Sequence, residues 1–334
     1  MTMKINILYL LLPLFWVCSC AKVESPSLAV SVLAEVEDGA QKTKGVVEGD
    51  GFKGGDTFGL FVYHAGSAQN GFQSYGSKYA NIKASRENGK WYYTLNGSSN
   101  SEKSESFFLI ESSIGGALDI YAYAPHIDGT TSITDIPFTI GGDDHSKLTD
   151  LMWAGNHHGD NLGIALKGVE KTIDFKFKHA LAMIRINLSC KYPGATMQIS
   201  SIKIRSANQT PLYASGHFNA VTQVFAELVT TQEVVFGCNN YTFKNTPSLS
   251  VPLLIVPTEY QNNGDYEIVF EFYGHELPTV YPIQLADIAV NGVSKFESGK
   301  VYDFKFVFNN YAQISNVEID TGETWESVTE NREF

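Results

Sequence analysis

The sequence predicts an all-β protein built as two tandem β-sandwiches, and three observations predict it. Apolar and polar residues alternate with period two in Ile173-Asp174-Phe175-Lys176-Phe177, Tyr266-Glu267-Ile268-Val269-Phe270-Glu271-Phe272 and Tyr302-Asp303-Phe304-Lys305-Phe306-Val307-Phe308. Such alternation half-buries one face of a strand. No long stretch keeps helical period, and short apolar runs punctuated by Gly, Asn, Asp and Pro are the pattern of sandwiches and barrels. Finally, the 334 residues exceed what one small β core usually holds.

The elements follow in chain order. Lys4 supplies a positive start, Ile5 to Val17 form an apolar run, and the run stops at the small Ser19. Residues 1–19 therefore read as a signal peptide rather than a fold element. The run is well short of the roughly 20 apolar residues that span a bilayer, and no later uncharged stretch approaches that length. It ends in Val17-Cys18-Ser19-Cys20, the apolar-small-small-Cys pattern that lipoprotein signal peptidase reads. Cys20 would then be the acylated N-terminus, because several acyl chains together hold a protein durably on a membrane. An ordinary signal carrying two cysteines is the alternative.

Directly after the anchor, Leu28, Val30, Val32, Ala34 and Val36 put five apolar side chains in register on one face. Glu37-Asp38-Gly39 end the pattern, and Gln41-Lys42-Thr43-Lys44-Gly45 and Gly51-Phe52-Lys53-Gly54-Gly55 form a polar, glycine-rich stretch open to a protease. An inward-facing strand beside a cuttable linker is a removable strand. Residues 20–45 thus read as a lipidated propeptide. Strands at 58–63, 91–95 and 118–124 belong to an N-terminal sandwich over 46–177. Strands at 181–188, 199–205 and 253–256 belong to a C-terminal sandwich over 178–312, with a tail at 313–334.

The net charge of −12 with few basic clusters argues against a nucleic-acid partner and fits solubility outside the cell. Of four cysteines, Cys18 leaves with the signal and Cys20 is the anchor. Cys190 and Cys238 remain, either as a disulfide, which an oxidising compartment permits, or as buried small apolar residues. Asp143-Asp144-His145 with His157-His158-Gly159-Asp160 carry metal-ligand side chains, but their spacing matches no known site and a solvated loop accounts for them. His179 has no nucleophile suggested beside it, and no Gly-x-Ser-x-Gly, His-Glu-x-x-His, phosphate loop or EF-hand pattern occurs. No cofactor, no metal and no enzymatic activity are expected. Tyr75, Tyr79, Trp91, Tyr92 and Tyr93 suit either a sugar platform or strand packing.

Four segments together carry a family resemblance: Gly55-Asp56-Thr57-Phe58-Gly59-Leu60-Phe61-Val62-Tyr63, Tyr121-Ala122-Tyr123-Ala124-Pro125, Asp150-Leu151-Met152-Trp153-Ala154, and 175–186 from Phe175 to Ile186. In order and spacing the chain resembles the fimbrillin (Mfa-like, type V pilin) family of outer-membrane lipoproteins. The resemblance implies transthyretin-like sandwiches, export to the outer surface with a lipid anchor, and linker cleavage that removes the first strand. A strand from another fimbrial subunit then fills the groove by β-augmentation. Two departures matter. Family members are cut after arginine, whereas the first arginine here is Arg86, leaving Lys42 and Lys44 as the basic candidates. Past Ile314 the tail offers Val317 and Ile319 before Thr321, Gly322 and Glu323, a weak donor strand. The expectation is a structural or adhesive fimbrial subunit at a tip, accessory or anchor position rather than in the stalk. The alternative is a monomeric surface lipoprotein that binds glycan or host protein.

Overall fold

A computed structural model describes residues 27–36, 52, 54–68, 75–99, 102–110, 118–141, 150–155, 170–245, 249–290 and 293–324. Strands dominate it. The N-terminal half carries β1 (Ser27–Val36), β2 (Thr57–His64), β3 (Ile82–Glu87), β4 (Lys90–Thr94), β5 (Phe107–Ile110), β6 (Leu118–Ala124), β7 (Ile136–Thr139), β8 (Met152–Gly155) and β9 (Glu170–His179). The C-terminal half carries β10 (Ala182–Cys190), β11 (Met197–Ser206), β12 (Leu212–Asn219), β13 (Val224–Thr231), β14 (Glu233–Phe243), β15 (Leu249–Ile255) and β16 (Tyr266–Phe272). It continues with β17 (Thr279–Pro282), the short β18 (Ala289–Val290) and β19 (Val293–Ser294), β20 (Lys300–Phe308) and β21 (Ile314–Thr324). Among the described residues no helix is long and apolar enough to cross a membrane.

The alternating segments fold as their pattern dictates. In β9 Ile173, Phe175 and Phe177 are buried while Thr172, Asp174 and Lys176 face out; in β20 Tyr302, Phe304, Phe306 and Phe308 are buried around an exposed Lys305. Strands β2 and β6 do not alternate, because both of their faces are covered. Every residue of β6 is buried. Its Leu118, Ile120, Ala122 and Ala124 join the core of the N-terminal half, and its Tyr121 and Tyr123 join the larger core that fills the C-terminal half. Strand β2 divides likewise, with Phe58, Leu60 and Val62 on one side and Phe61 and Tyr63 on the other. A sheet covered on two sides reads as a continuous apolar run.

All strands of the N-terminal half except β7 form one eight-stranded sheet in the order β4-β3-β2-β6-β8-β9-β1-β5. It rolls up around its core until its two ends meet, where the Tyr93 ring of β4 lies 5.3 Å from that of Phe107 in β5. In the C-terminal half the sheets β15-β10-β20-β21 and β14-β11-β16-β17 face each other. Edge-on rings join them, Phe270 lying 4.8 Å from Phe306 and 5.2 Å from Phe308. A third sheet, β13-β12-β7, draws strands from both halves.

At the joint the four sequence segments come together. Gly59 is opposite Tyr123 across β2 and β6, and a Cβ there would collide with the Tyr123 ring. The ring therefore lies flat over the glycine, its hydroxyl donating to Asn81 Oδ1 at 2.8 Å. Asp150 and His179, both buried, pair at 2.7 Å between the start of β8 and the end of β9. His179 thus has a packing role at the joint.

Candidate functional site

The site is the first strand and the slot that holds it. Strand β1 is not at a sheet edge: it lies between β9 and β5. Its pairing with β9 is parallel from Ala29↔Glu170 to Val36↔Phe177, and its pairing with β5 is antiparallel but stops at Val30↔Phe107. Val30, Val32 and Ala34 are buried against Ile173, Phe175, Phe107 and Tyr93 in the N-terminal core, while Leu33 on the opposite face is 57% exposed. Leu28 and Val36 belong to the strand by their backbone, and their side chains lie outside the described residues. On the outer face Ser31 and Thr172 bring their hydroxyls to 3.2 Å.

Beyond the last rung to β5, a side chain takes over from the missing strand. Tyr93 accepts from the Val32 N–H at 2.9 Å and donates its hydroxyl proton to the Val32 carbonyl at 3.2 Å. Tyr93 is 2% exposed, and burial raises its pKa above the ordinary tyrosine value, the Val32 contact offsetting part of that rise. The hydroxyl stays protonated at any physiological pH and keeps both bonds.

The linker's two ends stand close together. Val36 is paired with Phe177, and the chain reappears at the buried Phe52, whose ring lies 5.2 Å from both Phe177 and Trp91 and 6.3 Å from Phe58. Phe52 is therefore anchored in the core by its own aromatic contacts. Cys20, Lys42 and Lys44 lie outside the described residues, as does the segment with Asp143, Asp144, His145, His157, His158 and Asp160. Among the described residues no group of three or more His, Cys, Asp or Glu side chains is arranged to hold a metal.

The tail occupies its own sheet. Strand β21 runs antiparallel along the edge of β20, from Phe308↔Ile314 to Lys300↔Thr324, with Ile314, Val317 and Ile319 half-buried against the C-terminal core.

The disulfide expected as one option between Cys190 and Cys238 is not made; both are buried free thiols. Cys190 Sγ lies against the carbonyl of Phe243, whereas Cys238 sits five residues earlier on β14. Because β14 bulges there, the stretch from Gly237 to Phe243 spans only the four steps from Ser201 to Met197, which still puts Cys238 roughly 10 Å or more away along the strand, beyond the reach of a disulfide. Tyr79, Trp91 and Tyr93 are core residues rather than a sugar platform. Among the described residues the exposed aromatics lie elsewhere: Tyr192 after β10, Tyr273 after β16 and Tyr311 after β20 all project from one end of the C-terminal half, together with the exposed Leu277. Thr279 Oγ1 bonds to the Ala312 carbonyl, and the Lys191 N–H to that of Phe308, so these turns adjoin. The signal for them in the sequence was an aromatic set among turn residues, as in Tyr192-Pro193-Gly194 and Asn309-Asn310-Tyr311.

Residues 43–325 match the model of the fimbrillin-like family. The chain belongs to that family. No curated protein matches its sequence. Among solved structures it is similar to a protein assigned to cell adhesion from Bacteroides uniformis, at 16% identity and a TM-score of 0.56, over 90% of this chain and 97% of that one. A second such protein, from Bacteroides ovatus, is 16% identical with a TM-score of 0.54, over 92% and 99% of the two chains. A fimbrial protein from Bacteroides vulgatus is 16% identical with a TM-score of 0.50, over 90% and 99%. At these identities the likeness is one of fold, and the fimbrillin-like chain shares nearly its whole length with each.

Proposed function

We propose that this fimbrillin-like protein is a structural or adhesive subunit of a cell-surface fimbria, delivered as a lipoprotein through Cys20 and joined to its neighbours by strand complementation. A fimbrial or adhesion role at the cell surface follows from the family. The finer reading rests on one observation, that β1 is an interior strand joined to the rest only through residues 37–51. Cleavage at Lys42 or Lys44 would free it and leave a slot lined by β9 on one side and β5 with Tyr93 on the other. An extended segment from another subunit would find backbone partners along both sides.

The proposed place in the filament is supported by β21, which pairs along the whole of β20 and presents three half-buried apolar residues. That suits a tip, accessory or anchor position. A second reading is a solitary surface lipoprotein that keeps β1 and binds glycan or host protein; the exposed Tyr192, Tyr273 and Tyr311 favour it. Mass spectrometry of the N-terminus of protein released from the cell surface separates the two. A lipid-free start at Thr43 or Gly45 is expected for an accepting subunit, and an acylated Cys20 on every molecule would overturn strand removal.

A further inference from the structure

We infer that Tyr93 is the positioning residue of the slot, a clip that reads the backbone of whichever strand lies there; this rests on the reading of β1 as replaceable. The ladder to β5 stops at Val30, so a strand in the slot would be held along that side for only four residues. Tyr93 supplies the next rung. One hydroxyl has one proton to give and can accept in return, and here both capacities serve the same residue, Val32, at 3.2 and 2.9 Å. The hydroxyl is held in place from two directions. The Tyr93 backbone pairs with Ala84 in β3 and exchanges bonds with Ser104 at 2.8 and 3.1 Å, while its ring packs on Phe107.

A contact made only with backbone ignores side chains but imposes a chemical requirement: the residue in Val32's place must carry an N–H. Proline there would leave the buried hydroxyl without its donor. The neighbouring site adds a limit of size, because Ala34 is buried opposite Phe175 and a larger side chain would overpack it. The slot therefore selects an extended segment with apolar residues in the places of Val30 and Val32, a backbone N–H in that of Val32, and a small residue in that of Ala34. The partner is a peptide strand of that pattern.

The test uses the full chain carrying Cys20→Ser and a specific protease site placed after Lys44, cut once folded. A synthetic peptide of residues 27–36 is then offered to the cut protein, in native form and with the Val32 amide replaced by an ester. Tyr93→Phe and the ester are each expected to weaken retention roughly tenfold, the loss of a buried hydrogen bond. Tyr93→Phe removes both bonds to Val32 and the ester only the one that its N–H donates, so the ester should cost little further in the Tyr93→Phe protein, where that bond is already gone. Tyr92→Phe, which alters a hydroxyl on the outer face near Glu105 at 3.4 Å, should leave retention unchanged. Effects of Tyr93→Phe and the ester that multiply would overturn the clip. If no peptide enters the slot, replaceability fails, and hydrogen exchange on the uncut chain judges Tyr93 by itself. There Tyr93→Phe is expected to speed exchange of the Val32 amide roughly tenfold, and an unchanged rate would overturn the clip.

Discussion

Strands β1 and β10 occupy equivalent places but are packed differently, and the proposal that β1 alone is replaceable turns on that difference. Each opens its half and pairs in parallel with the strand that closes it, β1 with β9 and β10 with β20. Each is an interior strand, with β5 or β15 on its other side. The fill is different. Strand β10 buries Met183, Ile184, Ile186, Leu188 and Cys190, and its antiparallel ladder with β15 runs from Ala182↔Ile255 to Leu188↔Leu249. Its outer face carries Arg185, which donates to Asp303 at 2.8 Å, with Asn187 on the same carboxylate. Strand β1 buries two valines and an alanine among its described side chains, has a four-residue ladder with β5, and relies on one tyrosine for its next rung. The same topology is packed tightly in one half and lightly in the other.

The strongest way to break this comparison is to put a charge into both strands. Ile186→Asp should prevent cooperative folding, because an unpaired buried carboxylate costs more than about 5 kcal/mol, a sizeable share of a domain's stability. Val32→Asp should dislodge β1 alone. Hydrogen exchange would then show residues 27–36 unprotected while β10 and β20 keep their protection; loss of both together would contradict the distinction.

The outer faces give the next contrast. Arg185→Met leaves Asp303 half-shielded without its cation and should lower stability by about 2 to 4 kcal/mol in denaturant titration. Ser31→Ala, at the corresponding face of β1, should change it by less than about 0.5 kcal/mol. The joint serves both halves, so Gly59→Ala should cost about 1 to 3 kcal/mol by displacing the Tyr123 ring and should weaken protection in β6 and β10 alike. The smallest effect concerns the thiols. Burial pushes the Cys238 thiol up to about 12 and raises that of Cys190. Neither should be alkylated by iodoacetamide at pH 8 in the folded protein, and both should react once it is unfolded. Labelling of native Cys190 would mean that β10 opens as readily as β1.

Period two made β1, β9, β16 and β20 legible in the sequence, because each has one wet face. The whole burial of β6 was not legible, since its second face is covered by a half of the chain that lies far away in sequence. That the first strand turns Val30, Val32 and Ala34 inward could be read from their alternation. Its interior place could not, because the parallel partner β9 is chosen by tertiary packing more than a hundred residues later. Tyr93 was visible only as one aromatic of a strand. Its hydroxyl bonds to the backbone of Val32, and a backbone partner leaves no mark on the residue that is held. The fates of Cys190 and Cys238 depended on register along β14, which composition does not encode.

The most direct test of the central claim is to cut the folded full chain at two places in separate preparations, once after Lys44 and once in the turn after Cys190, and to offer each an isotope-labelled copy of its first strand. The account predicts that labelled residues 27–36 replace β1 while the rest of the protein keeps its cooperative unfolding, and that the cut after Cys190 gives no exchange of β10 short of global unfolding. Exchange at neither site, or at both equally, would contradict it.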